Sequence, residues 1–254
     1  MVRFRATSMR WLVSCTALAT LVAACGKSDL GAADSTRQQS VPSAGAERSS
    51  ASPPPANATG DERPTVVFVG TSLTAGLGLS DPDEAYPALI QEKIDSLGLN
   101  YRVVNAGVSG ETSAGALKSI GWLMRSPASV VVIETGANDG LRGLSVEAMR
   151  ANIQGIIDTV RSAHPDARIV LAGMEAPPNL GARYTAEFRE TFPEIARANH
   201  ATLIPFLLEG VAGVDSLNQA DGIHPNPAGA RVVAANVWRA LRPVLVSDAK
   251  ASGS

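Results

Sequence analysis

An alternation that begins at Thr65 constrains this chain more than any other feature. Five short apolar runs, rich in β-branched residues, recur through the sequence. They are "TVVFV" (Thr65 to Val69), "YRVVNA" (Tyr101 to Ala106), "SVVVIET" (Ser129 to Thr135), "ARIVLAGM" (Ala167 to Met174) and "ATLIPF" (Ala201 to Phe206). Between them lie amphipathic stretches of helical length, near Tyr86–Leu97, Ala114–Met124, Val146–Ala163 and Ala182–Asn199. A further helix is predicted near Pro227–Leu241, after the fifth run. Strands and helices in this order predict parallel strands joined by crossover helices. Near-continuous Val and Ile indicate strands covered on both faces. The expected fold class is therefore α/β: a three-layer sandwich with a five-stranded parallel sheet, spanning about residues 64–246.

In open sheets of this kind, ligands bind outside the carboxyl ends of the strands. The residues that follow each run should therefore meet in space. Ser72 follows the first, Gly107 to Gly110 the second, and Gly136, Asn138 and Asp139 the third. Pro178 and Asn179 follow the fourth, and Asp221 and His224 come late after the fifth. Of the three histidines, His164 and His200 close helices and precede strands, which places them at the opposite edge as polar helix ends. His224 alone lies in a loop on the ligand edge, with Asp221 three residues before it.

These residue types suit acyl transfer. A serine hydroxyl attacks well only when a base takes its proton, and imidazole serves that purpose near neutral pH. A carboxylate on the other ring nitrogen fixes the tautomer and steadies the imidazolium. Ser72 is the candidate nucleophile, His224 the base and then acid, and Asp221 the orienting carboxylate. The Ser72 N–H, the Gly110 N–H and the Asn138 side-chain amide are the candidate oxyanion donors. The bland alternative is that Ser72 only makes a turn. A G-x-S-x-G elbow is absent, since the chain reads Gly70-Thr71-Ser72-Leu73-Thr74, which disfavours an ordinary α/β-hydrolase. Asp139 reads as a helix cap or structural hydrogen bond rather than a catalytic group. Glu134, Asp158 and Asp166 read as surface or loop charges.

The N-terminal segment has its own logic. Arg3, Arg5 and Arg10 precede the apolar stretch "WLVSCTALATLVAA" (Trp11 to Ala24), which is too short to span a bilayer and suits a signal peptide over residues 1–24. "LVAAC", Leu21 to Cys25, resembles the lipobox of bacterial lipoproteins, which implies a lipid anchor on Cys25 and an exported, membrane-held protein. An ordinary secretory signal cut near Ala24 is the other reading. The only other cysteine, Cys15, lies inside the apolar stretch, so no disulfide is expected in the folded domain. Residues 25–63, rich in Ser, Ala and Pro, read as a disordered tether, and 247–254 as a disordered tail. Removing residues 1–24 takes away three arginines and no acid, which moves the formal charge from −2 to −5. That balance lacks the basic footprint of a nucleic-acid binder.

Several blocks together carry a family resemblance. "GTSLTAG" resembles the first block of the SGNH (GDSL) hydrolases, with Thr71 where aspartate is usual. "NAGVSGETSAG", "ETGANDGLRG" and "DGIHPN" resemble later blocks. The four family letters fall on Ser72, Gly110, Asn138 and His224, with Asp221 completing a triad. The resemblance is to the esterase, thioesterase and lysophospholipase branch, and it implies a flavodoxin-like sheet. In that branch "APPNLGARYTAEF", Ala176 to Phe188, resembles the loop that helps bind the acyl group. Pro178 and Asn179 are then candidate substrate contacts, and Glu175 and Leu180 candidates for tuning preference. The implied substrates are aryl esters, short or medium acyl esters, or lysophospholipids, handled by a monomer that needs no metal or other cofactor. Removal of O-acetyl groups from polysaccharides is an alternative, and a non-catalytic envelope binding protein is a second from another class.

Overall fold

The computed structural model of the protein describes residues 61–252. The predicted signal peptide, Cys25 and most of the predicted tether lie outside the described residues. The tether's last three residues do not continue its pattern: Arg63 Nη2 donates to Asp61 Oδ2 at 2.8 Å, and Arg63 Nη1 to the Tyr101 carbonyl at 3.3 Å.

Five parallel strands form one sheet: β1 (Thr65–Gly70), β2 (Arg102–Gly107), β3 (Val130–Ile133), β4 (Arg168–Ala172) and β5 (Thr202–Ile204), in the order β2-β1-β3-β4-β5. The central strands β1 and β3 are buried at every residue, whereas edge strand β2 is half-exposed along its length. Burial on both faces explains why the central runs carry Val, Ile and Phe without a polar alternate.

The helices are α1 (Ser72–Ala75), α2 (Tyr86–Ser96), α3 (Ser113–Leu123), α4 (Ala137–Leu141), α5 (Val146–Ala163), α6 (Ala182–Ala198) and α7 (Pro227–Ser252). On one side α2 packs against α7, and on the other α5 packs against both α3 and α6. The longest well-patterned segment shows why. In α5, Met149, Ile153, Ile156, Ile157 and Val160 are buried at helical spacing, and the Ser145 hydroxyl caps the start by accepting the Ala148 N–H at 3.2 Å. Phe188 and Phe192 of α6 meet edge to face, with ring centroids 5.5 Å apart, and join the core on the side where α6 packs against β4 and β5.

The C-terminal helix corrects an expectation. It does not stop near Leu241 or give way to a disordered tail at 247, but runs to Ser252. Leu241, Val244 and Leu245 are all buried at helical spacing, and the next residues, "SDAKAS", hold no helix breaker.

The chain leaves β1 for β2 and returns past β1 to lay down β3 on its other side. The crevice at that reversal, outside the carboxyl ends of β1 and β3, is where a doubly wound sheet places its ligand.

Candidate active site

Ser72 is the first residue of α1, directly beyond β1. A one-turn helix forms there because Gly76 takes the left-handed conformation (φ 73°) and ends it, its N–H returning to the Ser72 carbonyl. The Ser72 N–H is at the helix start and has no protein acceptor among the described residues.

His224 and Asp221 come from a loop that folds back on itself. An antiparallel bridge between Asn218 and Pro225 closes it, and the Gln219 N–H donates to the His224 carbonyl at 2.8 Å. Gln219 Nε2 also donates to the Leu77 carbonyl at 2.7 Å, which ties this loop to the segment after α1. The result is an ordered chain of hydrogen bonds. His224 Nε2 lies 2.9 Å from Ser72 Oγ, and His224 Nδ1 lies 2.6 Å from Asp221 Oδ2. With Nδ1–H given to the carboxylate, Nε2 is left to accept the serine proton. The Ile223 N–H, the His224 N–H and the His224 ring all donate to Asp221 and hold its carboxyl down to about 2. It is an anion throughout the neutral range.

The second and third loops arrive beside the serine. The Val108 N–H donates to the Gly70 carbonyl at 2.8 Å, which pins the chain after β2 to the end of β1. Gly110 has φ 78°, a conformation that glycine alone adopts without strain, and Arg142 donates to its carbonyl at 3.0 Å. Its N–H has no protein acceptor among the described residues. Asn138, in the first turn of α4, gives one amide hydrogen to the Glu111 carbonyl at 3.0 Å and keeps the other. Asp139 next to it is buried and accepts both the Ser113 N–H at 2.8 Å and the Ser113 hydroxyl at 2.6 Å, a structural duty that joins α4 to α3.

Ser72, Gly110, Asn138 and His224 line one cavity of about 530 Å³. Leu73, Leu77, Leu141, Met174, Phe206 and Ile223 supply much of its apolar wall. Pro178 lines it, as does Glu175, which also pairs with Arg189 at 3.4 Å. Asn179 and Leu180 are not among the lining residues. Asn179, like Pro178, is exposed in the 3-10 turn Pro178–Leu180. His164 and His200 stand at the far ends of α5 and α6, away from this cavity.

One residue is misplaced by sequence reasoning. Glu134 is not a surface or loop charge: it is 0% exposed, directly beyond β3. Its carboxylate accepts the Thr71 N–H at 2.7 Å, the Thr71 hydroxyl at 3.0 Å and the Thr74 hydroxyl at 2.9 Å. Burial pushes it up to about 7, against the pull of those donors. Gly70 is required at this point, since a Cβ there lands 1.9 Å from the Thr74 hydroxyl. Asp158 and Asp166 are exposed, as read. Among the described residues, no group of three or more His, Cys, Asp or Glu side chains is arranged to hold a metal ion.

Comparison with known proteins places this arrangement. The model of the GDSL-like Lipase/Acylhydrolase family matches residues 68–232, a stretch that contains Ser72, Gly110, Asn138, Asp221 and His224. Esterase TesA of Pseudomonas aeruginosa is 41% identical over 182 residues, covering 71% of this chain and 89% of that protein. Thioesterase 1/protease 1/lysophospholipase L1 of Escherichia coli is 33% identical over 185 residues, covering 72% and 86%. The crystal structure of AlinE4, an SGNH-hydrolase family esterase, superposes with a TM-score of 0.60 at 39% identity, covering 72% of this chain and 97% of that one. The chain belongs to the GDSL-like lipase/acylhydrolase family, the SGNH hydrolases.

Proposed function

We propose that this protein is a serine esterase that cleaves carboxylic esters and thioesters of medium acyl chains, including lysophospholipids and aryl esters, through an acyl-enzyme. Membership of an acylhydrolase family makes it a carboxylic ester hydrolase. The observation that carries the finer reading is the unbroken relay from Ser72 Oγ to His224 to Asp221, set in the wall of an apolar cavity.

In this reading Ser72 Oγ attacks the ester carbonyl carbon while its proton passes to His224 Nε2. The carbonyl π electrons move onto oxygen, and that oxyanion is met by the Ser72 N–H, the Gly110 N–H and Asn138 Nδ2. Asp221, fixed as an anion, stabilises the imidazolium across Nδ1. The tetrahedral intermediate collapses, the alcohol or thiol leaves with the proton from His224, and the acyl group stays on Ser72. A water molecule, deprotonated by His224, then repeats the attack and releases the acid.

The cavity argues for the acyl length. About 530 Å³ of largely apolar space suits a hydrocarbon chain, whereas an acetyl group needs little of it, so polysaccharide deacetylation is not favoured. We also propose that residues 1–24 direct export and that Cys25 carries a lipid anchor, on the strength of "LVAAC". The deciding experiment is hydrolysis of p-nitrophenyl esters of graded chain length by the wild type and Ser72→Ala. Activity lost in the variant supports the reading, and equal activity in both proteins overturns it.

A further inference from the structure

The hydrolytic steps leave Glu134 unused, yet it touches the chain on both sides of Ser72. Thr71 precedes the serine and gives the carboxylate both its N–H (2.7 Å) and its hydroxyl (3.0 Å). Thr74, two residues after the serine, gives its hydroxyl at 2.9 Å. The Tyr86 hydroxyl, 2.6 Å from Thr74 Oγ1, completes a line of donors that runs from α2 through α1 to the acid. None of these partners is a cation, so the carboxylate is held by hydrogen bonds alone. A carboxylate held this way, inside the protein, fixes the turn from which both the attacking oxygen and one oxyanion donor project. Displacements of about 1 Å at such a position cost on the order of a hundredfold in rate.

The residue at 71 decides how the clamp is built. An aspartate there, as in the usual form of the first block, sets a second carboxyl against Glu134. Two carboxylates at about 3 Å must share a proton to coexist. Threonine instead offers a neutral hydroxyl, so Glu134 has no second carboxyl to share a proton with.

We propose that Glu134 is a positioning residue for catalysis, with the Thr71 hydroxyl as its uncharged partner, and that this pair holds the Ser72 turn in line. The inference rests on the reading of Ser72 as nucleophile. The titratable groups around the turn are Tyr86 on α2, Asp139 on α4, Glu175 on the cavity wall, and His224 and Asp221 in the last loop. Asp139 is committed to Ser113, Glu175 pairs with Arg189, Asp221 with His224, and His224 bonds both Asp221 and the Ser72 hydroxyl. Tyr86 alone of these joins the clamp, and burial pushes its hydroxyl further above the ordinary range, so it remains a donor at alkaline pH.

The test uses the purified full chain and p-nitrophenyl butyrate from about pH 6 to 9. Thr71→Val keeps the shape and removes the donor. It is expected to lower kcat about tenfold with little change in KM, the scale of one hydrogen bond to a charged group. Thr71→Ser, which restores the donor, is expected to recover most of that loss. Thr71→Asp is expected to make kcat fall more steeply with rising pH than it does in the wild type. A folded Thr71→Val enzyme with wild-type kcat overturns the proposal, as does a Thr71→Asp profile superimposed on that of the wild type. If Thr71→Asp does not fold, the valine and serine pair decides. Ser72→Ala separates the two readings. Full activity in it defeats the nucleophile assignment, whereas an inactive Ser72→Ala beside an unimpaired Thr71→Val defeats the clamp alone.

Discussion

Asp221 grips His224 twice. Its Oδ2 lies 2.6 Å from the imidazole Nδ1, while its Oδ1 accepts the His224 backbone N–H at 3.0 Å. One carboxylate therefore sets both the ring's orientation and the path of the chain that carries it. Asp221→Asn keeps the shape and offers an amide hydrogen where the ring needs an acceptor. We expect kcat on p-nitrophenyl esters to fall by about 10³–10⁴, the usual scale when a triad tautomer is wrong. A loss under about tenfold removes Asp221 from the triad.

Asn138 reaches the cavity with one amide hydrogen already spent on the Glu111 carbonyl. Asn138→Ala should cost about 10²–10³ in kcat with KM nearly unchanged, because the lost donor matters only once charge develops on the substrate oxygen. An effect confined to KM assigns Asn138 to ground-state binding instead.

Ala212 is an exposed residue on the cavity wall, so bulk can be added there without disturbing the core. Ala212→Trp should shorten the preferred acyl chain and lower kcat/KM on the longest esters about tenfold, with acetate esters spared. That is the scale of two methylenes kept out of an apolar wall at about 0.8 kcal/mol each. An unchanged chain-length profile places the acyl group elsewhere.

Glu134 makes a statement about stability as well as positioning. Its carboxyl is raised from the ordinary 4.5 to about 7 in the folded state, so the folded protein binds more protons than the unfolded chain between those values. Stability from this group is present below pH 4.5 and is lost as pH rises through 7, by roughly 3 kcal/mol. Glu134→Gln keeps the shape and removes the titration. Denaturant unfolding of both proteins at several pH values should show the variant gaining on the wild type from pH 5 to 7. Parallel curves contradict a raised carboxyl.

Cys25→Ser tests the anchor without touching the enzyme. The variant should move from the membrane fraction to the soluble extract of the cell envelope, with esterase activity per molecule unchanged. Retention in the membrane fraction returns Cys25 to an incidental residue.

The legible parts of this protein are those where one signal dominates. The five β-branched runs and the period of α5 needed no tertiary information, because burial on both faces or along one stripe leaves a direct mark on composition. Ser72, Asp221 and His224 could be placed on one edge because chain order alone dictates which loops follow strands. The short helices α1 and α4 left no such mark, since four or five residues are too few to show a period. Asn179 does not line the cavity that Pro178 lines, because adjacency in a tight turn does not mean a shared direction. Glu134 was the instructive case. Its place inside "SVVVIET" already implied burial, but the donors that make burial tolerable come from Thr71 and Thr74, more than fifty residues away. Nothing local announces them.

The bond between Ser72 and His224 closes a separation of 152 residues. Ser72 follows the first strand and His224 the last, so a growing chain that has completed four strands holds the hydroxyl without its imidazole partner. The contact between them thus arrives only when the final loop docks, and it reports that both ends of the domain are in place.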